Sequence, residues 1–308
     1  VFRSRAMADV VSLADRVAAT LASVLIVGES GTGKELLARR IHSASPRASQ
    51  PFIAVNAAAI PETLLESELF GHEKGAYTGA DMSRLGQVRA AQGGTFFIDE
   101  AGAMPAALQA KWLRVIQERC VRPLGAVADI PVDVRWIAAS NEDMAVAVRA
   151  GRFREDLYYR LNVVSIELPP LRERPEDVEP LACVTLARLG AREGRELTLS
   201  PEALVLLEAY PWPGNVRELL NVLERAMVLC ADGSITAEHL PPHVASSHQS
   251  REIRVVLGTS LEQVQDRLIE ETLRLCGGDK TRAAQLLGVN ARTIYRWLEM
   301  KSAQESSR

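Results

Sequence analysis

Apolar residues gather into five short, nearly unbroken runs in the first part of the chain: Val24–Val27, Pro51–Asn56, Thr95–Glu100 (its last two positions carboxylates), Val134–Ala139 and Val163–Leu168. Runs of this length, bounded by polar and turn residues, read as buried strands. Between them the spacing turns helical. Val10, Val11, Leu13, Ala14 and Val17 share one face of a helix over 7–19, and Leu36, Leu37, Arg40 and Ile41 stripe a second one. Strands alternating with helices predict an α/β fold, a parallel sheet covered on both faces.

Pro169-Pro170-Leu171-Arg172-Glu173-Arg174-Pro175 closes that region, because its prolines cannot continue a strand or a helix. The pattern is then helical throughout. Residues 176–189 and 201–210 carry apolar stripes, and the turn Pro211 to Leu219 feeds a third helix reaching about Cys230. Residues 241–258 are polar and aperiodic, as in a linker. Beyond them Leu261, Val264, Leu268, Ile269 and Leu275 stripe one helix. A short helix over 280–287 turns Ala283, Ala284 and Leu287 inward, and a last one over 291–300 buries Ile294 and Leu298. That spacing is helix-turn-helix. The expected organisation is an α/β region over 1–170, a helical lid over 171–242, a linker over 243–258 and an all-α helix-turn-helix domain over 259–308.

Composition narrows the class. The 308 residues suggest two or three domains, and 47% hydrophobic with 24% charged content suits a soluble globular protein. A formal charge of −3 argues against a general polyanion binder. Residues 280–308, however, set six basic side chains against Glu299 and Glu305, and that tail is the part expected to meet nucleic acid. Cys120, Cys183, Cys230 and Cys276 form no metal-ligand spacing and read as reduced, mostly buried thiols of a cytoplasmic protein. No apolar run is long enough for a bilayer, and residues 1–10 lack a signal-peptide core. A start at Val1 suggests a fragment lacking an N-terminal portion.

The chemistry begins at Gly28-Glu29-Ser30-Gly31-Thr32-Gly33-Lys34-Glu35, which fits G-x-x-x-x-G-K directly between a strand and a helix. The glycines let successive N–H groups face a phosphate chain, the helix start adds its positive end, and Lys34 reaches the β- and γ-phosphates. A nucleoside triphosphate is the expected ligand. Glu35 stands where such loops usually carry the Ser or Thr that ligates Mg2+. Asp99, with Glu35 as a candidate second ligand, is then the expected Mg2+ holder, and Glu100 the group that polarises the attacking water. Asn56 either caps the next helix or holds Glu100. Ser140 and Asn141 end the fourth strand, so these groups converge at the carboxyl ends of the sheet.

Other segments leave two readings open. Gly75-Ala76-Tyr77-Thr78-Gly79-Ala80 is either a bland flexible loop or one whose aromatic tip grips a partner. Arg154 and Arg160 either pair with local carboxylates or act on a neighbouring molecule's phosphates. Arg217 reaches bound phosphate or forms a surface salt bridge. In the tail, Lys280, Arg282, Asn290, Arg292, Thr293, Tyr295 and Arg296 are free for a DNA groove and its phosphates unless the three helices dock protein instead.

Together these residues resemble the sigma-54-dependent bacterial enhancer-binding activators, built from a central AAA+ ATPase and a Fis-type helix-turn-helix. The marks are Gly28 to Glu35, Glu68 to Gly71, Gly75 to Ala80, Gly93 to Glu100, Phe153 to Leu161 and Trp212 to Glu218. The family usually has Phe where this chain has Tyr77, which keeps the ring and adds a hydroxyl. The resemblance implies that Asn56 is a switch for Glu100, Ser140-Asn141 a first sensor, Arg217 a second sensor, and Arg154 and Arg160 fingers acting in trans. It also implies a homo-oligomeric ring, expected to be hexameric with a dimer as an inactive form. ATP hydrolysis would remodel sigma-54 RNA polymerase, with the tail tethered to double-stranded enhancer DNA. A repressor or architectural DNA protein with a vestigial ATPase is the competing expectation.

Overall fold

Alternate residues of the apolar runs face opposite ways, and this decides the architecture of the computed structural model, which describes residues 1–77, 81–245, 259–275, 280–290 and 292–298. In chain order the elements of the first part are α1 (Arg5–Ala18), β1 (Val24–Val27), α2 (Lys34–Ser43), β2 (Phe52–Asn56), α3 (Glu62–Phe70), β3 (Thr95–Asp99), α4 (Ala106–Glu118), β4 (Arg135–Ser140), α5 (Met144–Arg149), α6 (Glu155–Leu161) and β5 (Val164–Glu167). The strands form one parallel sheet in the order β2-β3-β4-β1-β5.

Phe96, Ile98, Trp136 and Ala138 pack on one face with Phe70, Trp112 and Leu157. Phe97, Ile137, Ala139 and Ile26 pack on the other with Val17, Leu37 and Ile41. The period-2 alternation of a strand thus splits one hydrophobic run between two cores. The expectation of buried strands holds for β4 and, except at half-buried Val27 and Asp99, for β1 and β3, and fails at the edges. In β2 only Val55 is buried and in β5 only Ile166, since an edge strand has no neighbour to cover its flank. Arg135, 1% exposed, donates from its guanidinium to the carbonyls of Val17 and Ala18 and so ties β4 to the end of α1.

The chain leaves β1 one strand from the edge of the sheet, fills one side through β2, β3 and β4, and crosses to β5 on β1's other flank. The registers Asn56↔Asp99, Ile98↔Ala138 and Val27↔Ser140 bring the carboxyl ends level. Loops leaving the strands on either side of such a crossover part and open a crevice. α3 stops at Gly71 (φ 81°), where an added Cβ would lie 2.5 Å from the Arg84 carbonyl oxygen. Gly71–His72 then pairs antiparallel with Arg84–Leu85, so the glycine-flanked segment is carried on a two-stranded base.

Beyond two short 3-10 turns over Leu171–Glu173 and Pro175–Asp177 come α7 (Val178–Glu193), α8 (Pro201–Ala209) and α9 (Asn215–Leu229). They share their own core, centred on Leu171, Val178, Leu207, Trp212 and Leu223. Trp212 is 1% exposed and its indole N–H donates to the Leu207 carbonyl at 2.8 Å.

The chain divides into two compact units, Val1–His248 and Gln249–Arg308. In the second, α10 (Leu261–Leu275), α11 (Lys280–Leu287) and the helical residues 292–298 pack Ala283, Ala284 and Ile294 against Leu273, Leu287 and Leu298. Leu268, expected on the inner stripe, is 43% exposed, and its neighbour Ile269 takes the buried place. The cysteines also depart from expectation. Cys230 is buried, but Cys120 is half-buried and Cys183 exposed, while Cys276 lies outside the described residues. Among the described residues no helix is long and apolar enough to cross a membrane.

Trp112 is fully buried among Phe70, Phe96 and Trp136, with ring centroids 5.2–5.9 Å away. Trp112→Ala is expected to cost about 3–5 kcal/mol of stability, because the surrounding rings close the cavity only partly. Urea unfolding of the isolated variant checks it, and a loss under about 1 kcal/mol would contradict the packing.

Candidate functional site: a phosphate loop closed by a helical lid

Gly31 (φ 80°) and Gly33 (φ 105°) adopt left-handed backbone that disfavours any side chain, and they curl residues 28–33 over the start of α2. Lys34 is 7% exposed inside this curl. Its ammonium donates to the carbonyls of Gly28 (2.8 Å) and Glu29 (3.2 Å), and the Thr32 hydroxyl donates to Glu29 at 2.8 Å. Burial lowers the Lys34 pKa, while the nearby carboxylates of Glu100 and Asp99 hold its charge.

Across a cleft of about 250 Å³ stand Asp99 and Glu100 at the end of β3, with Ser30, Gly33, Lys34 and Arg217 on the remaining walls. Glu100 has φ 54°, unusual for a residue with a side chain, and its N–H donates to Asp99 Oδ1 at 3.0 Å. Burial raises the Glu100 pKa. Lys34 opposes that shift, Asp99 adds to it, and the Asn141 backbone favours the charged form. A carboxyl poised above its ordinary range beside a buried cation is the state expected of a group that takes a proton from water. Asp99 keeps one oxygen without a protein donor among the described residues, which suits a hard cation. Glu35 is less available, since Arg39 Nε and a terminal nitrogen hold its carboxylate at 2.9 and 2.7 Å.

The lid meets the loop directly. An Arg217 terminal nitrogen donates to Ser30 Oγ at 2.9 Å. This favours the phosphate-facing reading over a surface salt bridge. Three further contacts escaped the sequence. Asn215, fully buried at φ 52°, accepts from the Leu171 N–H and donates to Glu29 Oε2 and the Ser30 carbonyl. Arg172 grips both oxygens of Glu29, and buried Arg174 donates to the Thr32 carbonyl. The hydrogen bonds from Arg172 and Asn215 bring the Glu29 pKa down to about 2. The only advance signals were the run of charges at 172–176 and the Asn beside Gly214, and neither states a partner.

Other expected residues lie apart. Asn56 spends its side-chain oxygen on the N–H groups of Ala58 and Ala59 at 2.9 and 3.2 Å; it neither caps α3, whose N-cap is Pro61, nor bonds to Glu100. Ser140 Oγ closes the turn to Glu142, which leaves only the Asn141 backbone facing Glu100. Arg154 pairs with Asp156 at 2.8 and 3.0 Å, and exposed Arg160 makes no hydrogen bond or ion pair among the described residues. Arg154 stands at the N-cap of α6 and Arg160 near its end, beside buried Phe153, Leu157 and Leu161, and neither lines the Lys34 cleft.

In the glycine-flanked segment Gly75 has φ 82° with open space around it, and Ala76 N–H donates to the Glu73 carbonyl. Tyr77 is 42% exposed, its ring edge-on to His72 at 5.2 Å. Thr78, Gly79 and Ala80 lie outside the described residues. In the tail, Arg292, Thr293, Tyr295 and Arg296 are exposed. The Asn290 side-chain oxygen accepts from the Arg292 N–H at 3.0 Å, so that atom is engaged. Lys280 lies 4.7 Å over the Tyr295 ring, so these two act as one unit. Arg282 belongs to α11, and its side chain lies outside the described residues.

A Cβ added to Gly31 would meet the Gly214 carbonyl oxygen at 2.3 Å and the Arg217 Cβ at 3.1 Å. Gly31→Ala is therefore expected to push the lid off the loop and weaken nucleotide binding by tenfold or more, on the order of 1.4 kcal/mol. Titration with a fluorescent ADP analogue checks this; unchanged affinity would mean that the lid contact is idle.

Residues 1–167 match the family described as Sigma-54 interaction domain, residues 172–255 the AAA+ ATPase lid domain, and residues 260–299 Bacterial regulatory protein, Fis family. The transcriptional regulatory protein FlbD of Caulobacter vibrioides is 48% identical over 310 residues, covering 96% of this chain and 68% of its own length. The regulatory protein AtoC of Escherichia coli is 47% identical over 299 residues, covering 94% and 65%. The structure of NtrX from Brucella abortus in complex with ATP is similar with a TM-score of 0.78 at 32% identity, over 97% of this chain and 69% of that one. The chain thus spans about two thirds of the length of these relatives. A phosphate loop closed by its own helical lid, followed by a Fis-type tail and matched at this identity along nearly its whole length, makes the chain a member of the sigma-54-dependent transcriptional regulators of the AAA+ class.

Proposed function

We propose that the chain hydrolyses ATP in a homo-oligomeric ring and uses the cycle to remodel sigma-54 RNA polymerase from the closed to the open promoter complex. The observation that carries this reading is the convergence of Lys34, Asp99, Glu100 and Arg217 on one cleft. NtrX from Brucella abortus, similar over nearly the whole chain, has been crystallised with ADP and with ATP. In this reading residues 1–170 hold ATP and meet sigma-54, residues 171–242 form the lid, residues 243–258 link, and residues 259–308 bind double-stranded enhancer DNA in the cytoplasm.

The roles follow from position. The loop from Gly28 to Glu35 cradles the phosphates, Lys34 leaves its carbonyl partners for the β- and γ-oxygens, and Arg217 closes on them from the lid. Asp99 would hold Mg2+, whose charge helps neutralise the phosphates. Glu100 orients and deprotonates the attacking water, and the Asn141 backbone that faces it relates its position to bound γ-phosphate. Among the described residues no arginine but Arg217 lines the cleft, which leaves Arg154 and Arg160 to serve a neighbour's phosphates. A ring, expected to be a hexamer, supplies that neighbour. The segment Gly75 to Ala80, tipped by Tyr77, delivers the motion to sigma-54, while Arg292, Thr293, Arg296 and the Lys280–Tyr295 pair hold DNA.

Glu100 must be a carboxylate to take a proton, and its pKa lies above the ordinary 4.5. Turnover is therefore expected to be lost as pH falls through that raised value. A kcat/KM profile whose acid limb sits at or below 4.5 would remove Glu100 from the role.

Arg160→Ala is expected to leave ADP binding intact and lower ATP turnover by about 10³-fold, the contribution typical of an arginine acting in trans. Mixing it with an inactive Lys34→Ala partner, which still presents Arg160, should restore part of the turnover. In vitro transcription with sigma-54 polymerase, with and without ATP, tests the function itself. Transcript that forms without ATP hydrolysis, or none with it, would overturn the proposal.

A further inference from the structure

Glu29 occupies two positions at once. Its backbone carbonyl accepts from the Lys34 ammonium and from the Thr32 hydroxyl, inside the phosphate cradle. Its carboxylate points the other way and is held by Arg172 at 2.6 and 2.9 Å and by the Asn215 amide at 3.1 Å. Arg172 lies in the turn that leaves the sheet, and Asn215 begins the lid helix that also carries Arg217. Asn215 exhausts its side chain on this junction, accepting from Leu171 N–H at 2.8 Å and donating to the Ser30 carbonyl at 3.1 Å.

An ammonium cannot hold the loop carbonyls of Gly28 and Glu29 and also bond β- and γ-phosphate oxygens with full strength. Phosphate binding therefore takes the Lys34 bond from the Glu29 carbonyl, which keeps only Thr32, and loosens the residue enough to turn. Its side chain is tied to hinge and lid, so that rotation cannot stay local. We infer that Glu29, Arg172 and Asn215 form a latch that converts occupation of the phosphate loop into movement of the lid. They are positioning residues and touch no reacting atom. The left-handed backbone at Asn215 fits this role, since Asn tolerates that conformation while offering a donor and an acceptor.

This inference rests on the nucleotide-binding reading, and the two can fail separately. The measurement is amide hydrogen exchange of the whole chain with and without ADP, read at 28–35 and at 212–218. In the natural protein ADP should slow exchange in both segments, by about tenfold or more. Absence of any effect at 28–35 would count against the nucleotide site itself.

Asn215→Asp keeps the acceptor for Leu171 but faces Glu29 with a second carboxylate. It is expected to keep the protection at 28–35 and to leave 212–218 within about twofold of its ADP-free rate. Adding Glu29→Gln, whose amide can donate to the new carboxylate, should restore the response at 212–218. A staple with no transmitting role would lower the thermal midpoint without separating the two segments. If Asn215→Asp fails to fold, Arg172→Lys decides, because it replaces the two-pronged grip at a half-exposed site and should weaken the response of 212–218 alone. A lid that answers ADP as in the natural protein in these variants, or no rescue in the double variant, overturns the latch.

Discussion

A buried ammonium group governs the nucleotide site. Lys34 is almost excluded from water at the start of α2, where an unanswered cation would be costly. The loop answers with two of its own carbonyls, and Asp99 and Glu100 supply the field that keeps the charge. Such an arrangement is provisional. Carbonyl dipoles are weaker partners than phosphate oxygens, so the cradle is complete as a fold and still has more to gain from an anion. The raised pKa of Glu100 comes from the same confinement, with burial outweighing the neighbouring cation.

The lid depends on the loop for its seat. Gly31 and Gly214 approach so closely that a single methyl group would separate them, and Asn215, Arg217 and Arg172 lock the edges of that contact. The Glu29–Arg172 pair is itself half-exposed, yet it is backed by a fully buried amide, which limits the geometries it can take. The helical lid nevertheless has its own hydrophobic core, separate from the two flanking the sheet. Two separately packed bodies joined through polar contacts at the nucleotide site are suited to move against each other without unpacking either one.

Arg154 and Arg160 lie away from that cleft, on a helix whose apolar side is buried in the sheet's core. Both side chains are exposed there, Arg154 paired with Asp156 and Arg160 without a hydrogen bond or ion pair among the described residues. The glycine-flanked segment is likewise mounted outside the sheet, with the Tyr77 ring resting on His72, itself fixed by Ser67 at 2.8 Å. The cleft, the two arginines and the Tyr77 ring thus occupy three separate places on the first unit.

Much of this was legible in the residues. The five apolar runs, the G-x-x-x-x-G-K loop, the Asp99-Glu100 pair and the helix-turn-helix spacing depend on local periodicity and local chemistry, which a linear chain displays directly. Edge position was not legible, so β2 and β5 looked as buried as the central strands although their neighbours are missing on one side. The side chain of Asn56 also went elsewhere, since a short polar group bonds whichever backbone N–H lies nearest, here in its own turn. Asn215 and Arg172 sit 186 and 143 positions from Glu29, and no periodicity records such a meeting. The sequence by itself determined which segments become strands, helices and phosphate cradle; only the tertiary structure decided which distant polar groups satisfy one another, because burial makes each of them require a partner without naming it.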